Sequence, residues 1–377
     1  MITHPVNERA PAQIGGARTL MLAQASARRA FTEMYRQLAG EIGGLALAFA
    51  LSPDAPIPAA RSQQFVAAAG QVATRYFVGS DGRSPFGTDG VTPLANYPRI
   101  LNEALYTATK LPVVAQAKWL KRHLPEDIFA WMAGAKRKSL QESRVAEDLN
   151  DEIRKFYEKY RFWYVFHPNP LAQHEHSHRW VDPNGYTLSD RIWRAGTATR
   201  TKLDAMLTDA IRNGASASDL AKMVEAYLVP GRLGKRTNRP YGRDASYDGM
   251  RLARTEISRA HNYASYAASA VNPYVRGIDF KLSISHPRMD ICDDKATIGM
   301  TGERLKDPYP VNAAVLAPIH PHCLCVNMPA LIDDTAEITA QLREAIQESR
   351  RLNLEPHMNA ADADAFTRML FGLYLNF

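Results

Sequence analysis

Three cysteines and two histidines, packed late in the chain, are the residues best equipped for chemistry. Cys292, Cys323 and Cys325 are its only cysteines, and His320-Pro321-His322 runs directly into Cys323-Leu324-Cys325. The spacing C-x27-H-x2-C-x-C offers three thiolates and one imidazole, the donor set of a tetrahedral Zn²⁺ site. A site closed by four protein ligands has no position for water, so Cys292, His320, Cys323 and Cys325 would hold the fold together rather than turn over a substrate. Other uses of these atoms stay open. His322 competes with His320, and Asp290 or Asp293 could replace a ligand. The thiols could also be buried and unpaired, or form a Cys292–Cys323 or Cys292–Cys325 disulfide. An odd cysteine count argues against a disulfide framework. Confinement of all three to 34 residues suits local metal binding in a reducing compartment. Pro318, Pro321 and Pro329 stiffen the chain around the ligands and lower the entropic cost of ordering them.

A second constellation belongs to a different chemical class. His174-Glu175-His176-Ser177-His178 matches H-E-x-x-H. On a helix, His174 and His178 share a face and could bind Zn²⁺, with Glu175 as the general base of a metalloprotease. The flanks count against this. Gln173, Ser177 and Arg179 are polar where a protease helix is buried. Pro168, Pro170 and Asp182-Pro183 leave room for only about three turns. The segment is therefore expected to be a polar, His-rich stretch of surface. Two other enzyme classes fall away: a nucleobase deaminase needs P-C-x-x-C where this chain has C-x-C, and no G-x-x-x-x-G-K-[ST] phosphate loop exists. On these grounds the chain reads as non-enzymatic.

Positioning these residues needs a sizeable core. With 46% hydrophobic and 23% charged residues in 377, the chain can build one and wholesale disorder is excluded. The length suits two domains. Arg18 to Leu51 is rich in Ala, Leu, Met and Arg and predicts a helix, stopped by Pro53, Pro56 and Pro58. Gly79 to Pro93 reads as loop. Leu140, Val145, Leu149, Ile153 and Phe156 recur at helical spacing. The aromatic run from Tyr160 to Phe166 predicts a buried strand or helix end at a domain border. Further helices follow, capped by Ser189 and by Ser218, the first ending at Gly214. Met250 to Ala270 predicts a helix with a narrow face of Leu252, Ile257, Ala260, Ala264 and Ala268. In it, Arg254-Thr255-Glu256 reads as a local capping and salt-bridge arrangement. Gly277 to Ser285 alternates as a strand that delivers His286, Asp290 and Cys292.

These elements add up to an α+β protein, predominantly α. The expected division is a helical N-terminal domain over 1–160, a smaller α+β domain with the Cys/His knuckle over 161–333, and a helical extension over 334–377. The extension carries two apolar stripes, Ile338/Leu342/Ile346 and Phe366/Met369/Leu370/Leu373/Phe377.

The net charge of +7 permits a polyanionic partner. It concentrates in residues 231–254, where Arg232, Lys235, Arg236, Arg239 and Arg243 lie among Gly231, Gly234 and Gly242. A flexible basic loop of this kind can track DNA phosphates without reading sequence, or dock on an acidic partner. The most apolar stretch, Ile42 to Leu51, falls short of the roughly 20 residues that cross a bilayer. No membrane contact and no secretory leader is expected.

Four pieces in fixed order carry a resemblance: Leu188-Ser189-Asp190-Arg191-Ile192-Trp193, Ala253-Arg254-Thr255-Glu256, Asp290-Ile291-Cys292-Asp293, and His320-Pro321-His322-Cys323-Leu324-Cys325. Together, over about residues 180–330, they resemble the phage Mu protein F-like head morphogenesis family. Many members carry a second cysteine three residues after the first, where this chain has Lys295, so the resemblance leaves His320 as the natural fourth ligand. It implies a minor capsid protein of a tailed phage or prophage, associated with the portal and the head interior. It further implies a structural role in head assembly, DNA packaging or ejection, with the portal, the capsid and packaged double-stranded DNA as partners. Its place would be the virion, and the host cytoplasm during assembly.

Overall fold

The computed structural model describes residues 17–80, 82, 84–126, 128, 155, 170–229, 245–270, 272–284, 286, 289–320, 323–332 and 335–352. The protein is mostly helical, with a two-stranded antiparallel sheet. The helices are α1 Ala17–Phe49, α2 Ala59–Phe77, α3 Asn96–His123, α4 Pro170–Arg179, α5 Leu188–Arg212, α6 Ala217–Leu228, α7 Ala245–Ala270, α8 Ile291–Lys295 and α9 Thr335–Arg351, with strands β1 Val275–Lys281 and β2 Val326–Leu331. No described helix is long and apolar enough to cross a membrane.

The chain forms two compact units that interleave along the sequence. One holds 21–107 and 174–257, the other 1–20, 108–173 and 258–377. Within each unit, segments far apart in sequence pair with one another. In the first unit the Tyr97 hydroxyl donates to the Gly249 carbonyl at 2.7 Å. In the second, the Gln116 amide donates to Ser269 Oγ at 2.8 Å. The border near 160 and the aromatic run beside it lie outside the described residues, as do the helical spacing from Leu140 to Phe156 and the stripe from Phe366 to Phe377.

The unit of 21–107 and 174–257 is all-helical and built on aromatic packing. Phe31, Tyr35, Phe77 and Tyr97 are buried, with the Tyr97 ring 4.7 Å from Phe31 and 5.0 Å from Phe77. Helix α5 packs closely on α2 because Gly196 faces Phe77; a Cβ there would sit 2.6 Å from the Phe77 Cβ. The two helix starts differ from the sequence expectation. Thr187, not Ser189, caps α5, and Ser216, not Ser218, caps α6. The reason is the residue three places on. Thr187 has Asp190, which returns a bond to its backbone N–H and completes a capping box. Ser216 has Asp219, whereas Ser189 and Ser218 have Ile192 and Ala221. Glu256 also reaches beyond its own helix. It is buried and ion-paired with Arg191 of α5 at 3.0 Å.

In the other unit, β1 and β2 run antiparallel with Lys281 opposite Val326. The small-residue face of α7 is buried as expected at Ala260, Ala264 and Ala268. Beside it runs a buried polar stripe of Ser258, His261, Asn262, Ser265 and Ser269. Leu342 and Ile346 of α9 are buried, and α9 falls within this unit.

Candidate metal centre

The antiparallel register brings the site together. The end of β1 pairs with the start of β2, so the residues just after β1 and just before β2 emerge at one end of the sheet. The first group leads into α8 and Cys292; the second is Cys323-Leu324-Cys325. The connecting loop is pinned to the sheet by buried Asp279. Its carboxylate accepts from Thr297 Oγ1 at 2.9 Å and from both terminal nitrogens of Arg304 at 2.6 and 2.9 Å. Helix α8 has five residues and is held by a capping box: Asp290 accepts from the Cys292 N–H, and Asp293 accepts from the Asp290 N–H, each at 2.7 Å. This fixes the backbone that carries Cys292.

On the opposite side, α7 reaches the C-x-C segment through amides. Asn262 donates to the Cys325 carbonyl at 3.4 Å and accepts from the Asn327 N–H at 2.7 Å. The Asn327 side chain accepts from the Ala317 N–H at 2.8 Å and donates to the Val315 carbonyl at 2.7 Å. Both asparagines are buried, and their amides satisfy backbone groups that the loop would otherwise leave unpaired.

The three sulfurs lie within 4.8 Å of one another, and all three cysteines are buried and free of disulfides. Cys292 Sγ is 3.6 Å from Cys323 Sγ and 3.2 Å from His320 Nε2. Donors at about 2.0–2.3 Å from one tetrahedral ion are themselves separated by about 3.3–3.8 Å, so this spacing fits a metal. Asp290 also reaches the cluster, its carboxylate 3.2 Å from His320 Nε2. Asp293 does not: it turns to His286 Nε2 at 2.9 Å. The three thiols form one group able to hold a metal ion, and Cys292 is shared with a second group made with His320 and Asp290. His322 lies outside the described residues. Lys295 ends α8, and its carbonyl accepts from the Tyr309 hydroxyl at 3.0 Å.

Without a cation the pocket favours one thiolate. The Cys325 thiol donates to Cys323 and, with backbone bonds, holds Cys323 down to about 5 against the opposing effect of burial. Donation to Cys323 and burial push Cys325 up. Burial and the Cys323 charge push Cys292 up. A divalent ion reverses this, because thiolate ligands must lose their protons and the ion supplies the balancing charge.

The H-E-x-x-H segment lies on α4, as the spacing predicts, but is not a polar stretch of surface. His174, Ser177 and His178 are buried. The two rings meet edge to face at 4.8 Å. His178 Nε2 bonds Asn102 Oδ1 at 2.8 Å, and its ring packs against Phe86. Burial lowers the His178 pKa to about 4. Among the described residues, neither histidine belongs to a cluster of three metal-ligating side chains. Sequence reasoning missed Asn102, Asn262 and Asn327, since a lone asparagine has no periodicity to mark it as buried. The basic positions Arg232, Lys235, Arg236, Arg239 and Arg243 lie outside the described residues.

The chain matches no family model, no curated protein and no solved structure.

Proposed function

We propose that this protein is a non-enzymatic minor head protein of a tailed phage or prophage, resembling the Mu F-like family. In this reading it acts at the portal or head interior, in head assembly, DNA packaging or ejection, within the virion and, during assembly, the host cytoplasm. The observation that carries the reading is how the separated motif pieces meet. Arg191 of Leu188–Trp193 and Glu256 of Ala253–Glu256 form one buried ion pair. Cys292 meets Cys323 and Cys325 in one group and His320 in another. Motif pieces that are spaced over more than a hundred residues yet pair within folded units are what a shared fold requires. The pocket, in this reading, holds a structural Zn²⁺ on Cys292, His320, Cys323 and Cys325. The loop of Arg232, Lys235, Arg236, Arg239 and Arg243 contacts packaged double-stranded DNA through its phosphates, or an acidic face of the portal.

Co-expression with the portal and capsid proteins of the same genome tests the reading. The expected result is copurification with a portal ring. A chain that never associates with portal or capsid, and whose removal leaves head yield and DNA content unchanged, overturns it.

A further inference from the structure

We propose that Cys292 and Cys323 form an oxidation site, in which a Cys292–Cys323 disulfide and a bound metal are alternative states of one pocket. Only the metal-bound state rests on the metal reading above. The two sulfurs are 3.6 Å apart, and a disulfide bond of about 2.05 Å needs a closure of about 1.5 Å.

The elements that carry the sulfurs decide which pair closes. Cys292 sits on α8, a five-residue helix with a loop on each side. Cys323 sits in loop, its N–H bonded to the His320 carbonyl at 3.1 Å. Cys325 is anchored instead: its carbonyl accepts from Asn262, and the next residue enters the sheet opposite Lys281. The pair already at 3.6 Å is therefore Cys292 and Cys323, with Cys325, tied to the sheet, left as the third thiol. The sulfurs are buried, but His320 and Asp290 at the rim are 32% and 31% exposed, which gives a small oxidant a way in.

The oxidant is a peroxide. The Cys323 thiolate attacks one oxygen of hydrogen peroxide; the O–O bond breaks, hydroxide leaves, and Cys323 becomes a sulfenic acid. The Cys292 thiolate then attacks the Cys323 sulfur, forms the S–S bond and expels a second hydroxide. Two thiolates lose two electrons, the peroxide gains two, and two protons convert the hydroxides to water. Two of the three thiolate ligands are then lost, and the metal leaves.

The test uses the full-length protein, reduced and loaded with zinc, titrated with hydrogen peroxide. Zinc release is followed with a chromophoric chelator, and cysteines are mapped by alkylation and non-reducing peptide mass spectrometry. The expected result is one zinc released per Cys292–Cys323 disulfide, with Cys325 alkylated, and reversal by dithiothreitol plus zinc. Cys325→Ser retains the peroxide-driven disulfide. A dominant Cys323–Cys325 or Cys292–Cys325 disulfide, sulfinic acid as the first product, or thiols that stay alkylatable under excess peroxide overturns the proposal. If the reduced protein binds no zinc, the metal reading fails instead; the same mapping on the metal-free chain still decides which cysteines pair.

Discussion

At the scale of single residues, the pocket and the buried histidines make separable predictions. Cys323→Ser removes the thiolate that ionises most readily in the pocket. Elemental analysis of the reduced protein is expected to find stoichiometric zinc in the wild type and loss of it in this variant. Equal metal content in both would remove Cys323 from the ligand set. The histidines report through pH. Burial lowers His178 and His261 from 6.5 to about 4. Both are depressed in the folded state, so the unfolded chain binds more protons between these values. Stability is then full above about pH 6.5 and falls as pH drops toward 4, by at most about 1.4 kcal/mol per pH unit for each histidine. Urea unfolding at pH 7, 6 and 5 measures the slope. His178→Asn and His261→Asn are each expected to flatten it; an unchanged slope would show that neither imidazole is buried neutral.

At the scale of elements, close helix packing holds the unit of 21–107 and 174–257, and contacts between α7 and the sheet hold the site in the other unit. Gly196→Ala forces a Cβ against Phe77 and is expected to cost about 1–3 kcal/mol, read as a lower thermal midpoint. Glu256→Ala leaves Arg191 only 12% exposed and without its carboxylate. The expected loss is about 3–5 kcal/mol, while replacing both partners by apolar residues of similar volume recovers most of it. Asn327→Ala removes the side-chain bonds to Val315 and Ala317 that shape the loop before the C-x-C segment. Its expected signature is a zinc affinity about 10-fold weaker or more, measured by chelator competition. Wild-type affinity in Asn327→Ala would show that this amide network does not position the ligands.

At the scale of the molecule, the proposed head role and the basic residues of 231–254 together predict DNA binding that is sequence-independent and salt-dependent. Replacing Arg232, Lys235, Arg236, Arg239 and Arg243 with Gln is expected to weaken binding to unrelated duplexes alike. Each lost phosphate contact reduces the slope of log K against log salt by about 0.9. Fluorescence anisotropy across a salt series checks it. An unchanged slope would assign these cations to a protein partner.

The sequence by itself determined what depends on local chemistry. Ala- and Leu-rich composition marked α1, a small-residue face marked α7, and the cysteine spacing singled out three thiols that the fold does bring together. The caps of α5 and α6 were misassigned to Ser189 and Ser218, although the aspartates three residues after Thr187 and Ser216 carry the signal that marks the true caps. Only tertiary structure could decide what depends on partners far away in the chain. Glu256 reads as a local helix charge until α5 presents Arg191. His174 and His178 read as surface until Tyr106 packs on the first and Phe86 and Asn102 on the second. Asp290 lies beside His320 only because the β1–β2 register brings both loops to one end of the sheet. Local propensity is written within a few residues, whereas burial and ligand geometry are set by contacts that exist only once the chain has packed.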